Sequence, residues 1–105
     1  MMNREMENEI AIVTGAGRGI GADIAMTLAS AGCRVIVNYR ESEEQANALV
    51  AKINQSGGTA LAVRADVTQF EDVQSLLSQT VEQFGAPTIL VNNVGPGIVS
   101  KKIVK

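Results

Sequence analysis

The residues best suited to chemistry are the closely spaced glycines between Thr14 and Gly21. The run reads Thr-Gly-Ala-Gly-Arg-Gly-Ile-Gly and directly follows the short apolar run Ile10–Val13. Gly15 can take the positive φ that a sharp turn out of a strand requires. Gly19 lets backbone approach a phosphate closely, and Gly21 lets the next helix pack near the strand. Because the first N–H groups of a helix bind anions, the pattern predicts a pyrophosphate cradle at a strand-to-helix junction.

Other interpretations of the glycine run differ in how well they fit. A P-loop ends in Gly-Lys-Ser/Thr, and no lysine precedes Lys52, which argues against nucleoside triphosphate hydrolysis. A strict Gly-x-Gly-x-x-Gly beginning at Gly15 fails because residue 20 is isoleucine. The run is better described as Thr-Gly-x-x-x-Gly-x-Gly. A plain turn that only joins a strand to a helix remains the alternative.

Apolar periodicity predicts the elements that must position this turn. Apolar runs predict strands at 10–13, 34–37, 60–64 and 89–91. Helical spacing predicts three helices between them, the second with Ser42 as a candidate N-cap. The first helix has the apolar stripe Ile20, Ile24, Ala25, Leu28 and Ala29, and the third has Phe70, Val73, Leu76, Leu77, Val81 and Phe84.

Strands that alternate with helices predict right-handed crossovers and a parallel sheet with helices on both faces. The predicted fold class is therefore α/β: a three-layer partial Rossmann fold with about four parallel strands in the order 3-2-1-4. Residues 1–9 are predicted to be a flexible N-terminal tail, 10–95 a partial NAD(P)-binding domain and 96–105 a C-terminal tail. The fourth strand is expected to leave an apolar edge open to self-association or to a longer homologue. The tail either folds back on that edge or stays solvated.

Composition excludes several classes of function. The chain has 105 residues, 46% hydrophobic and 19% charged, which suits one small globular domain. Its net charge of −2 gives no electrostatic case for nucleic acid or an anionic membrane as partner. With no histidine and the single Cys33, a metal site is not expected. The lone cysteine, and an N-terminus too polar for a signal peptide, predict a cytoplasmic protein.

The end of the second strand bears on the choice of cofactor. NAD-binding folds often place an acidic residue there to bind the ribose 2′-hydroxyl. Here Arg40 stands first and Glu41 follows, while Arg18 lies within the glycine run. Two arginines beside the expected adenosine favour a 2′-phosphate, and so NADP rather than NAD. Glu41 opposes that choice, and two solvated surface arginines remain the simpler interpretation.

Polar residues also follow the third and fourth strands, at the edge where open sheets bind ligands. The Asp66 side chain and the Val67 N–H could meet an adenine, but taken in isolation the segment favours ordinary capping of the third helix by Asp66 or Thr68. Asn92, if buried, would tie neighbouring strands together, and Gly95 leaves room for a ribose. For the segment Asn92-Asn93-Val94-Gly95, an ordinary turn after a strand is the alternative.

Taken together, T-G-A-G-R-G-I-G, D-V-T and N-N-V-G resemble the short-chain dehydrogenase/reductase family over nearly all of residues 10–95. The stretch V-N-Y-R-E-S-E-E looks most like the 3-oxoacyl-acyl-carrier-protein reductase branch. The resemblance implies a pyrophosphate site, a 2′-phosphate site, an adenine site and a ribose site, with Asn92 structural. By this resemblance the pyrophosphate site comprises Gly15, Gly19, Ile20 and Gly21, and the 2′-phosphate site comprises Arg18 and Arg40. The adenine site comprises Asp66 and Val67, and the ribose site comprises Asn93, Val94 and Gly95.

The same resemblance implies catalytic residues that this sequence lacks. Family members use a tyrosine as general acid/base, followed four residues later by a lysine, together with a serine and an asparagine. Here the only tyrosine is Tyr39, and Glu43 stands four residues after it. No catalytic residue is therefore assigned. We expect the NADP(H)-binding portion of a ketone/alcohol oxidoreductase, truncated before the catalytic residues and inactive alone. A non-catalytic nucleotide-binding module acting through a partner chain, or a decayed product without function, stays open.

Overall fold

The computed structural model describes residues 6–93 and the backbone of residues 99–102. Strands and helices alternate along the chain as the sequence predicts, with one further strand near the end. In order, the elements are β1 Ile10–Val13, α1 Gly19–Ser30, β2 Arg34–Tyr39, α2 Glu43–Gln55, β3 Thr59–Arg64, α3 Phe70–Gln83, β4 Ile89–Asn92 and β5 Val99–Lys102.

The strands form one sheet in the order β3-β2-β1-β4-β5, and its first four strands are parallel. This confirms the predicted α/β class and the order 3-2-1-4. Alternate residues of β1 face opposite sides of the sheet. Ala11 and Val13 belong to the core that α1 and α2 cover, whereas Ile12 belongs to the core beneath α3. Both faces of the strands are buried, which explains why they read as continuous apolar runs.

The predicted apolar stripes are only partly buried. Ile20 is 62% exposed, so its place on the buried face of α1 is a wrong prediction. It lies in the first turn of the helix. In α3, Leu76 is buried, but Phe70 is 74%, Leu77 42% and Val81 53% exposed. The outer half of the α3 stripe is therefore an apolar face without a cover among the described residues.

The sequence predicts an open edge at β4, but the structure shows that this edge is paired. β5 pairs with it in antiparallel register, so that Ile89 lies opposite Lys102 and Asn92 opposite Val99. Of the two alternatives for the C-terminal tail, the structure has the one in which residues 99–102 fold back on the sheet. At the other end of the chain, residues 6–9 form a turn against the end of α1, where the Met6 N–H donates to the Ala31 carbonyl at 3.0 Å.

Candidate functional site

The glycine run forms the junction between β1 and α1. Gly15 has φ +59° and Gly19 φ +64°, conformations that favour glycine, and both lie where the backbone leaves the strand and enters the helix. A Cβ built on Gly19 meets nothing within 4 Å, so the space beside its backbone is open. The run therefore has the room that a phosphate needs to approach the main chain.

The start of α1 keeps its N–H groups available to an anion. Arg18 stands at the N-cap position, where Ser, Thr, Asp or Asn usually accepts from the first-turn amides. A guanidinium has no acceptor, and the first turn of α1, which is described throughout, contains no acidic residue. The positive end of the helix is thus reinforced by a cation instead of being neutralised.

Gly21 brings α1 close to the sheet. A Cβ at this position would lie 2.6 Å from the Gly15 carbonyl oxygen and would overlap Nδ2 of Asn93. Only glycine allows this approach. The role that the family pattern gives this residue, close packing of the helix, therefore has a direct steric reason here.

A buried asparagine that the sequence analysis did not single out holds the turn in place. Asn38, on β2, is 2% exposed. Its Nδ2 donates to the carbonyls of Val63 (3.3 Å) and Ala65 (3.2 Å), and its Oδ1 accepts from the Gly15 N–H at 3.4 Å. The side chain thus links β3 to the glycine run across β2. One polar residue inside the otherwise apolar run of β2 was the signal available in the sequence.

Thr14 makes the corresponding link to β4. It is buried, its hydroxyl lies 3.2 Å from Oδ1 of Asn92, and its Oγ1 accepts from the Asn93 N–H at 2.9 Å. Asn92 therefore does connect the ends of neighbouring strands, although it is exposed and not buried. The Asn93 amide donates to the Gly15 carbonyl at 3.2 Å, so in this structure it braces the turn. Of the predicted ribose residues, Val94 and Gly95 lie outside the described part of the chain.

The two predicted phosphate-binding arginines are exposed. Arg40 Nε lies 3.6 Å from Asp66 Oδ2 and 4.0 Å from Glu41 Oε1. Beside it, a cavity of about 310 Å³ is lined by Tyr39, Arg40, Glu41, Glu43 and Arg64. Arg64 thus adds a further cation at the carboxyl end of β3 that the sequence analysis did not consider.

Asp66 closes a local turn and does not cap α3. Its Oδ1 accepts from the Thr68 hydroxyl at 2.6 Å and from the Thr68 N–H at 3.0 Å, while Gln69 holds the N-cap position. These hydrogen bonds are the main cause that lowers the pKa of Asp66 below its ordinary value, and Arg40 adds to the shift. The carboxylate is therefore ionised at neutral pH and can accept from a ligand N–H.

Val67 borders a second, mostly apolar cavity between α3 and the sheet. Its volume is about 370 Å³, and it extends to Thr14 and Asn92. Its remaining lining residues are Ile12, Val73, Leu76, Leu77 and Leu90. Of the predicted adenine residues, Val67 therefore lines the apolar cavity, while Asp66 is ion-paired with Arg40, which lines the polar one.

Two kinds of site are not found within the described residues. No group of three or more His, Cys, Asp or Glu side chains there is placed to hold a metal ion. The helices among them are also too short or too polar to cross a bilayer.

Four parallel strands, a reversal of strand order at β1 and β4, and a glycine turn at that point are the arrangement typical of dinucleotide-binding α/β proteins. The family model for short chain dehydrogenases matches residues 9–103, and the chain belongs to that family. Membership implies the use of a nicotinamide cofactor.

Individual relatives agree with this assignment. An uncharacterized oxidoreductase of Methylorubrum extorquens is 47% identical over 91 residues, which cover 87% of this chain and 37% of that protein. A 3-oxoacyl-[acyl-carrier-protein] reductase of Synechocystis sp. is 45% identical over 87 residues, covering 83% of this chain and 35% of that protein. The crystal structure of a dehydrogenase/reductase from Sinorhizobium meliloti 1021 superposes with a TM-score of 0.84 at 41% identity, covering 90% of this chain and 37% of the other. The chain thus spans little more than a third of the length of these relatives.

Proposed function

We propose that this chain is the NADP(H)-binding portion of a ketone/alcohol oxidoreductase similar to 3-oxoacyl-acyl-carrier-protein reductases. The observation that carries the proposal is the glycine turn between β1 and α1. It combines open space beside Gly19, an N-cap that leaves the first-turn amides as donors, and a position at the reversal of strand order. The pyrophosphate would lie on those amides, and bound NADPH would supply a hydride.

NADP is proposed over NAD because of the charges around the end of β2. Arg40 and Arg64 border the same cavity, and Arg18 stands at the start of α1. A 2′-phosphate placed there would gain charge-assisted hydrogen bonds. Glu41 lies in the same cavity lining, but its side chain is 84% exposed and can turn into solvent.

We further propose that the chain does not catalyse hydride transfer alone. The sequence contains no Tyr-x-x-x-Lys, and Tyr39 is committed to a structural contact, since its hydroxyl lies 3.3 Å from Glu43 Oε1. Burial, with Glu43 as the next cause, raises the pKa of Tyr39. A tyrosine that acts as a general acid/base near neutral pH needs the opposite shift.

The alternative is a non-catalytic nucleotide-binding module that acts through a second copy or a longer homologue. The exposed Phe70, Leu77 and Val81 on α3 favour it, because contiguous exposed apolar surface marks interaction sites. In this alternative the partner covers the α3 face, since β5 already pairs with β4. We propose a cytoplasmic location in either case, because Cys33 is a buried free thiol.

Binding of NADPH and NADH to the purified 105-residue chain, with the variants Arg40→Ala and Arg34→Ala, tests the proposal. Arg34 is the matched control because it is exposed at the first residue of β2, whereas Arg40 follows the last residue of that strand. Loss of one partly exposed arginine–phosphate contact should weaken NADPH binding about tenfold and leave NADH unchanged. No saturable NADPH binding to a folded sample would overturn the proposal. Equal effects of the two variants would remove the assignment of NADP.

A further inference from the structure

Three large apolar side chains form a stripe along α3. Phe70 is 74%, Leu77 42% and Val81 53% exposed, and we call these three residues the α3 stripe. Their spacing of seven and then four residues places them on one side of the helix. Single exposed apolar residues are ordinary, but an aligned set marks an interaction surface.

An apolar groove is continuous with the α3 stripe. The cavity of about 370 Å³ between α3 and the sheet is lined by Leu77, which belongs to the stripe, and also by Leu76, Ile12 and Leu90. Ile12 and Leu90 lie opposite each other on β1 and β4. A partner seated on the stripe would therefore also reach the face of the sheet.

The partner must satisfy its own backbone hydrogen bonds. The edge of β4, next to the groove, is already paired with β5. An extended peptide would find no strand edge at β4, and its buried N–H and C=O groups would lack partners. A helix satisfies those groups internally and presents its apolar side chains along one face, so a helix is the segment that suits this groove.

The charge of α3 is acidic throughout. Its charged residues are Glu71, Asp72 and Glu82, and the helix contains no lysine or arginine. Glu71 and Glu82 are exposed, and their separation of eleven residues places them on the same side of the helix. Neither α1 nor α2 has more basic than acidic residues. The described helices of a second copy therefore offer no cationic surface to α3, whereas a basic partner gains electrostatic complementarity.

We propose that the α3 stripe and its groove bind an amphipathic helix of another polypeptide, with lysine or arginine on the flank that meets Glu71 and Glu82. The apolar side of that helix supplies most of the affinity, and the charges select the partner and its orientation. The proposal gives a chemistry to the partner of the non-catalytic alternative and does not depend on NADP(H) binding.

Fluorescence anisotropy of a labelled synthetic peptide, titrated with the full 105-residue chain, tests the proposal. The peptide is an alanine-based helix of about 16 residues, long enough to form in isolation. It carries a leucine stripe and, on one flank, two lysines with the separation of Glu71 and Glu82, and in the control peptide both lysines are glutamates. The lysine peptide should bind saturably, and at low salt the glutamate peptide should bind about tenfold more weakly or worse.

Three variants of the chain locate the contact. Val81→Lys puts a cation on the stripe and should abolish binding of the lysine peptide. Glu82→Gln should weaken that binding about two- to threefold, the effect of one exposed ion pair. Glu44→Gln is the matched control and should change nothing, because Glu44 is exposed on α2, which covers the opposite face of the sheet. Glu82 is chosen over Glu71 because an acidic residue in the first turn also stabilises the helix itself.

Equal binding of the two peptides, or equal effects of Glu82→Gln and Glu44→Gln, would overturn the proposal. Absence of peptide binding to a sample with a cooperative thermal transition would also overturn it. If light scattering then shows an oligomer that Val81→Lys dissociates, the occupant of the α3 stripe is a second copy. Titration of the same sample with NADPH decides the proposed function separately.

Discussion

Replacement of Asn38 by alanine should reveal how strongly the glycine turn depends on one buried amide. The side chain makes three hydrogen bonds, all to backbone groups of Gly15, Val63 and Ala65. Because Asn38 is 2% exposed, water cannot replace those bonds without entering the core. At about 1 kcal/mol for each backbone group left without its partner, the free energy of unfolding should fall by about 3 kcal/mol. That is a large part of the 5–15 kcal/mol typical of small domains.

The matched control is Asn54→Ala, which deletes the same atoms. Asn54 also bonds backbone groups, both of Ala60, at 2.9 and 3.3 Å, but it is exposed at the end of α2. Water replaces its bonds, and the higher helix propensity of alanine offsets up to about 0.7 kcal/mol. The expected loss is therefore below about 1 kcal/mol.

Urea unfolding of the three proteins, followed by circular dichroism, measures the difference. Equal m-values would show that the variants expose the same surface on unfolding. The reasoning is refuted if Asn38→Ala loses no more stability than Asn54→Ala. A folded Asn38→Ala sample should also bind NADPH more weakly, since the Gly15 N–H has lost the acceptor that fixes the turn.

Three further results are expected. Gly21→Ala should lower the free energy of unfolding by about 1–3 kcal/mol, because the added Cβ overlaps the turn. Gly57→Ala is the control, since a Cβ there meets open space and only the positive φ costs stability. Equal losses of stability in urea unfolding would contradict the steric reason. The lowered pKa of Asp66, caused first by the Thr68 hydroxyl, means that its contribution to stability is full above its ordinary pKa of 3.8 and is lost as pH falls below that value. The difference in free energy of unfolding between the parent chain and Asp66→Asn should therefore become smaller in acid. A difference that stays constant from pH 6 to pH 3 would contradict this. Val81→Lys should reduce self-association measured by light scattering, and an unchanged oligomer would show that the exposed α3 face is not the contact.

The sheet order and the glycine turn were predictable because their signals are local. Four apolar runs separated by helical stripes leave few chain topologies. The glycine positions between Thr14 and Gly21 predict where the backbone turns and where a Cβ cannot fit. These signals depend on spacing along the chain, so they need no knowledge of distant neighbours.

The features that the sequence did not predict concern which neighbour a residue meets. Ile20 has the right spacing for the α1 stripe, but in the first turn of that helix it is 62% exposed. Asn38 reads as a polar residue near the end of a strand, and its role depends on carbonyls 25 and 27 residues away. Thr14 likewise bonds Val91 and Asn92 of β4 and the following Asn93, which are 77 to 79 positions away. Burial and long-range pairing are set by the assembled fold and cannot be read from spacing alone.

The pairing of β5 with β4 also changes how this chain is expected to associate. An open, apolar strand edge invites strand-by-strand association, and natural sheets limit this with short edge strands rich in lysine. β5 fits that description, since it is short and its sequence is Val-Ser-Lys-Lys. Among the described residues, three of the four large apolar side chains that are exposed lie on α3, where Phe70, Leu77 and Val81 share one side of the helix. Association of this chain should therefore proceed by helix packing and remain sensitive to a charge on α3, while the sheet edge resists extension.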